Sequence, residues 1–244
     1  MCLRIHTIIL ISTPGTIHQL SWRVLMLIPT PATQSDIRLQ IVEISRRLYD
    51  LGLLTATGGN ISARNEENPQ EIWISPAAIF KGHLQAQMLV HIDLEGTVKA
   101  ETGYIPSSEH RVHCAIYRSR PDVEAVIHTH APQATLLALS GTKFLPISYE
   151  AAMLGDIPVV PFIMPGSPAL GDAVAEALGN EAAVLMQNHG LVVAACNLRS
   201  AADITEVIEV TALKLLTCRA LGVTPPVLPE EAITVIRKSR AFSA

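Results

Sequence analysis

An apolar, β-branched run that ends in two histidines, Ala125-Val126-Ile127-His128-Thr129-His130, constrains this chain more than any other segment. Such a run predicts a buried strand. Alternate residues of a strand share a face, so His128 and His130 would point together into one pocket. Neutral imidazole is the commonest transition-metal ligand, and two convergent imidazoles supply most of a metal site. A third histidine lies in Met186-Gln187-Asn188-His189-Gly190, after a second apolar run, Ala182-Ala183-Val184-Leu185. A carboxylate, Glu109, opens a helix-like segment upstream. Taken alone, the His-x-His pair also fits two satisfied polar residues at a sheet end. Together with His189 and Glu109 it reads as a metal catalyst.

Composition limits what can be built around that strand. The 244 residues can bury a sizeable core, and with 49% hydrophobic and 16% charged residues the chain is folded rather than disordered. A formal net charge of −4 without a basic block argues against nucleic-acid binding, and 4% aromatics leave few platforms for base stacking. Cys2, Cys114, Cys196 and Cys218 are far apart and form no CxxC pair. Reduced thiols in a cytoplasmic protein are therefore expected. Residues 1–32 differ from the rest. The apolar stretches Thr7–Ser12 and Val24–Ile28 are too short for a membrane span, and Arg4 with a short run is a poor secretory signal. This segment is read as a poorly ordered extension, or as sequence ahead of a start near Met26.

From residue 33 onward the pattern becomes regular. Ser35 is placed to cap a helix whose apolar positions Ile37, Ile41, Ile44, Leu48 and Leu51 recur at helical spacing, with Gly52 as its stop. Thr57-Gly58-Gly59-Asn60 is a glycine turn leading into a short strand. Glu71–Ser75 and Val90–Leu94 alternate like strands. Pro106-Ser107-Ser108-Glu109 signals a helix start with Ser107 or Ser108 as N-cap, and Pro121-Asp122 ends that helix. Further helices are expected over 132–139, over 170–178 and from the Asn197 cap to Ala220, with a strand-turn-strand over 183–195. Strands and helices interleaved in irregular order predict one α/β domain over 33–244. Its central sheet would be mixed, largely antiparallel, and covered by helices on both faces.

Four blocks occur in order: Thr57-Gly58-Gly59-Asn60-Ile61-Ser62, Pro106-Ser107-Ser108-Glu109, His128-Thr129-His130 and Asn188-His189-Gly190-Leu191. In this order and spacing the chain resembles the class II aldolase/adducin family from Ser35 to Lys238. The resemblance implies that His128, His130 and His189 bind a divalent metal, usually zinc, with manganese, cobalt or nickel as alternatives. It implies that Glu109 is the acid/base and can occupy the fourth metal position at rest. It also implies a homotetramer with active sites at subunit interfaces, where Tyr149, nineteen residues after His130, would reach a neighbouring site and serve the aldehyde oxygen as proton donor. Gly59, Asn60, Ser107 and Ser108 are the candidate phosphate-binding residues. Glycine lets backbone N–H approach an anion closely, and hydroxyls at a helix start add donors. Turn and cap chemistry alone would also account for these four.

The function so implied is metal-dependent cleavage of a ketose 1-phosphate, such as L-fuculose 1-phosphate, to dihydroxyacetone phosphate and an aldehyde. The metal would polarise the ketone and stabilise an enediolate while a carboxylate moves the proton at carbon. Two alternatives stay open: a decarboxylase or sugar-phosphate 4-epimerase/dehydratase on the same site, or a non-catalytic adducin-like module. One departure bears on this. After Ile74-Ser75-Pro76, sugar-phosphate members resembling this chain usually carry Thr or Ser and then Gly, whereas here Ala77-Ala78 follows. Lys81 is the nearest replacement charge for the lost hydroxyl, and its plainer reading is an exposed, solvated side chain. His113, one helical turn after Glu109, is a candidate support for that carboxylate. His83, His91 and His110 read as surface or strand-edge residues, and Cys114 as helix packing.

Overall fold

The computed structural model describes residues 36–239. The extension over 1–32, with His6 and His18, and the expected Ser35 cap lie outside these residues. The first described helix, α1 (Ile37–Asp50), is instead capped by Asp36, whose carboxylate accepts from the Arg38 backbone N–H. Strands β1 (Asn60–Arg64), β2 (Glu71–Ile74), β3 (Val90–Asp93) and β4 (Val98–Ala100) follow as an antiparallel meander. Then come α2 (His110–Ser119), the histidine strand β5 (Ala125–Thr129), α3 (Pro132–Ser140), α4 (Tyr149–Leu154), β6 (Val159–Val160) and α5 (Pro168–Leu178). The hairpin β7 (Ala183–Met186) and β8 (Gly190–Ala195), the long α6 (Leu198–Ala220) and α7 (Glu230–Ser239) complete the order. No helix among the described residues is long and apolar enough to cross a membrane.

The eight strands form one sheet in the order β4-β3-β2-β1-β5-β8-β7-β6, antiparallel except for the β6–β7 pair. The expected single α/β domain with a largely antiparallel, mixed sheet is therefore present. Strand alternation divides the core in two. Ala125 and Ile127 of β5 face a cluster built with Ile41, Leu137 and Ile208 of α1, α3 and α6. Val126 faces the other side, with Val112 and Ile116 of α2 and Leu170 and Val174 of α5. With β1 on one side and β8 on the other, β5 is buried along its whole length. Its ends are thus the places where polar side chains can be presented to a cleft.

One predicted feature needs correction, and four strands and α-helices go beyond the expected elements. Neither Ser107 nor Ser108 is the N-cap of α2. Glu109 holds that position with its side chain turned away, and Ser107 Oγ accepts instead from the Glu109 N–H at 3.3 Å. The elements β4, β6, α4 and α7 are two to ten residues long. The three shortest are too brief to impose a visible period on a sequence, and α7 follows Leu228-Pro229 with no Ser, Thr, Asp or Asn to mark its start.

The Pro76–Ala78 turn is held against the segment before α2. Pro76 pairs with Pro106, Ala77 N–H donates to Ile105 O at 3.0 Å, and Ser107 N–H donates to Ser75 O at 3.3 Å. Ala78 sits at φ +54°, where its Cβ crowds the following carbonyl. Ala78→Gly should therefore raise the unfolding free energy by up to about 1 kcal/mol, the relieved strain less the entropy glycine adds to the unfolded chain. Ala77→Gly, at a position without positive φ, should lower it. Urea midpoints of the two variants check this, and a loss of stability in Ala78→Gly would refute it.

Candidate metal centre

The pairing of β1, β5 and β8 brings the predicted residues together. Asn60 is opposite His128 across β1–β5, and Val192 is opposite it across β5–β8. His130 follows directly after β5. His189 lies in the turn Gln187-Asn188-His189 between β7 and β8, where Asn188 takes the left-handed conformation (φ +61°) that asparagine tolerates. The turn closes tightly because residue 190 is glycine. A Cβ there would overlap the Thr129 carbonyl and press on the His128 ring. Glu109, at the head of α2, comes down onto the same spot from the helix layer.

The three imidazole rings surround one another at centroid distances of 5.0, 4.7 and 5.4 Å. One donor atom from each of Glu109, His128, His130 and His189 lies within 4.8 Å of all the others, a grouping that could hold a metal ion. His128 Nδ1–H donates to Leu191 O at 3.1 Å, which leaves its Nε2 bare and directed inward. His128 Nε2 and His189 Nε2 each stand 3.0 Å from a Glu109 oxygen. Yet His128 Nε2, His130 Nε2 and Glu109 Oε1 have no hydrogen-bond partner, so those close approaches miss hydrogen-bonding angles. Buried polar atoms left this way cost roughly 1–3 kcal/mol each. Atoms aimed at a common point rather than at one another fit a shared cation.

Electrostatics agree with that fit. Burial, and then the imidazoles of His128 and His189, push His130 down to about 4, so it presents a lone pair at neutral pH. Burial disfavours the Glu109 carboxylate, but the facing His128 and His189 outweigh it and hold Glu109 far below the ordinary carboxylate range. Three imidazoles and one carboxylate form a donor set that suits a divalent transition metal with four ligands.

The remaining candidates are distributed unevenly. Gly59 and Asn60 are buried beside the cluster, and Asn60 Nδ2 donates to Glu109 Oε2 at 3.1 Å. Ser107 is buried, whereas Ser108 is exposed. Tyr149, 53% exposed at the start of α4, is not among the residues that converge on the cluster. Lys81 is not the solvated side chain its plainer reading expects. It is 2% exposed, its ammonium donates to Pro76 O at 3.2 Å, and burial pushes its pKa down to about 8. His91 pairs with Glu71 at 2.8 Å and stacks on Trp73, and His83 is exposed. Cys114 is buried, and burial pushes its thiol up to about 11, as suits packing. Ser62 and Tyr117, buried next to His113, were not singled out in the sequence. Their spacing, two residues after Asn60 and eight after Glu109, carries no signal until α2 is known to lie over β1.

The family model described as Class II Aldolase and Adducin N-terminal domain matches residues 39–215. L-fuculose phosphate aldolase of Escherichia coli strain K12 is 37% identical over 199 residues, covering 81% of this chain and 90% of that protein. A 3-oxo-tetronate 4-phosphate decarboxylase of Haemophilus influenzae is 30% identical over 185 residues, covering 72% of this chain and 85% of that protein. Among solved structures, an L-fuculose 1-phosphate aldolase superposes with a TM-score of 0.79 at 31% identity, covering 85% of this chain and 97% of that one.

Proposed function

The chain belongs to the class II aldolase and adducin family and is a metal-dependent lyase, and from that premise we propose that it is an aldolase acting on a ketose 1-phosphate. The products would be dihydroxyacetone phosphate and an aldehyde, with L-fuculose 1-phosphate a fitting substrate. One observation carries this reading: the convergence of Glu109 with His128, His130 and His189 at the mouth of a buried strand. The 37% identity to an L-fuculose phosphate aldolase supports the choice of reaction.

In this reading His128, His130 and His189 hold the ion, with Glu109 as fourth ligand until substrate arrives. A bound divalent cation, zinc on this donor set, supplies Lewis-acid polarisation of the ketone and offsets the negative charge that carbon–carbon cleavage leaves. Glu109 moves a proton between its carboxylate and the substrate carbon, returning it in cleavage and removing it in synthesis. Tyr149, exposed in the single chain, would serve a neighbouring subunit of a homotetramer. In synthesis its hydroxyl would give a proton to the aldehyde oxygen; cleavage is the reverse, the substrate hydroxyl that becomes that oxygen returning its proton to the phenolate. Gly59, Asn60, Ser107 and Ser108 bind the phosphate through backbone and side-chain donors.

A second reading, decarboxylation of a sugar-acid phosphate on the same centre, has its own support. Ala77-Ala78 removes a hydroxyl from the turn facing the α2 head, and a decarboxylase is among the chain's relatives. The deciding experiment loads purified protein with zinc or manganese and offers a panel of ketose 1-phosphates. A coupled assay follows dihydroxyacetone phosphate. Release that a chelator abolishes and added metal restores is expected. Silence from fully metallated protein, with carbon dioxide released from a 3-oxo sugar-acid phosphate, would replace the aldolase reading with the second.

A further inference from the structure

Behind the metal centre a line of buried polar groups runs into the core. It arises from a coincidence of repeats. Four residues of helix rise about 6 Å and two residues of strand about 6.6 Å. Helix α2 lies over β1, so Glu109, His113 and Tyr117 at four-residue steps meet Asn60, Ser62 and Arg64 at two-residue steps. The contacts follow the register. Asn60 Nδ2 meets Glu109 Oε2 at 3.1 Å, and Asn60 Oδ1 meets His113 Nε2. Ser62 Oγ meets His113 Nδ1 at 2.6 Å and Tyr117 Oη at 2.8 Å, and the Arg64 guanidinium lies 4.8 Å over the Tyr117 ring. His113 and Ser62 are fully buried, and Tyr117 is 1% exposed.

The chemistry of these groups allows the line one direction. A carboxylate only accepts, so Asn60 must turn its NH₂ toward Glu109 and its carbonyl toward His113. His113 must then carry its proton on Nε2, which leaves Nδ1 to accept from the Ser62 hydroxyl. Ser62 Oγ in turn accepts from Tyr117 O–H. Burial, followed by the charge of His128, pushes His113 down to about 3, which keeps the ring neutral as the single direction requires.

We propose that His113 is a positioning residue. By donating from Nε2 it locks the Asn60 amide with its NH₂ toward Glu109 and so holds that carboxylate on the three-histidine centre. The role rests on the metal-lyase reading of the site. Without the His113 donor, the Asn60 carbonyl is left buried and unpartnered, and the amide is held from the Glu109 side alone.

Two substitutions separate this role from packing. In His113→Gln the side-chain amide reaches the Nε2 position and can still donate to Asn60. In His113→Leu the volume is kept and the donor is lost. Co²⁺ affinity, followed by visible absorption, should stay close to wild type in His113→Gln and fall about 10–100-fold in His113→Leu, with kcat falling more than KM. Wild-type affinity in His113→Leu, or equal losses in both variants, would overturn the proposal. If His113→Leu does not fold, the wild-type ring decides. Nitrogen-15 NMR of histidine-labelled protein should find a neutral Nε2–H tautomer at His113, and an Nδ1–H tautomer or a charged ring overturns the proposal. Wild-type protein that takes up no Co²⁺ would instead remove the metal reading, and this inference with it.

Discussion

Glu109→Gln protein should keep its metal and lose turnover by about 10²–10⁴-fold, the range over which a positioned acid/base contributes. The substitution preserves shape and one acceptor oxygen, so Asn60 Nδ2 can still donate at this position. The three imidazoles are untouched, and His128 stays oriented by Leu191 O. The neutral amide cannot carry a proton to or from carbon. Metal per chain and kcat, measured on the same preparation, make the test. An active Glu109→Gln enzyme with full metal would place the acid/base elsewhere. Loss of metal along with activity would instead mean that Glu109 is needed chiefly as a ligand, its charge helping to hold the cation among neutral imidazoles.

The parts of this centre that could be read from the sequence are those with a local cause. His128 and His130 share a face because a strand alternates. His189 falls beside them because an apolar run, an Asn-His-Gly turn and another apolar run can only be a hairpin, and β7–β8 is one. The same alternation reveals β1, β2 and β3. Glu109 is legible in the sequence as a functional residue but not in its structural position. Two serines before it looked like a cap, while the residue that takes the cap position is the one whose side chain the site requires. Lys81 and the His113 line depend on contacts that local pattern does not encode. A lysine in a short connecting segment looks solvated, yet it is 2% exposed once that segment packs on α1, where Ser45 Oγ donates to Lys81 O. Likewise, four-residue spacing in α2 and two-residue spacing in β1 each look ordinary. They become one polar line only when the helix is known to lie on that strand, in a register set by the β1–β5 pairing across the sheet.

The other large effect is expected from the ligands themselves. His128→Ala and His189→Ala should each bring bound metal well below one per chain and cut turnover by roughly 10²–10⁴-fold, as loss of a Lewis acid worth several kcal/mol requires. The two substitutions differ in what else they disturb, and that difference guards the interpretation. His128 is 1% exposed in the middle of the sheet and donates to Leu191 O, so its truncation also opens a buried void, at a cost of about 2–5 kcal/mol. His189 lies in a turn rather than within a strand; its side chain is 9% exposed, and its Nδ1 makes no hydrogen bond that truncation would break. His189→Ala should therefore lose metal while unfolding at the temperature of chelator-treated wild type, whereas His128→Ala should unfold below it. A low metal content in His189→Ala cannot then be ascribed to a disrupted fold. Full metal occupancy in both variants would remove His128 and His189 from the ligand set, and a centre held by His130 and Glu109 alone would be too sparse to retain a cation through purification.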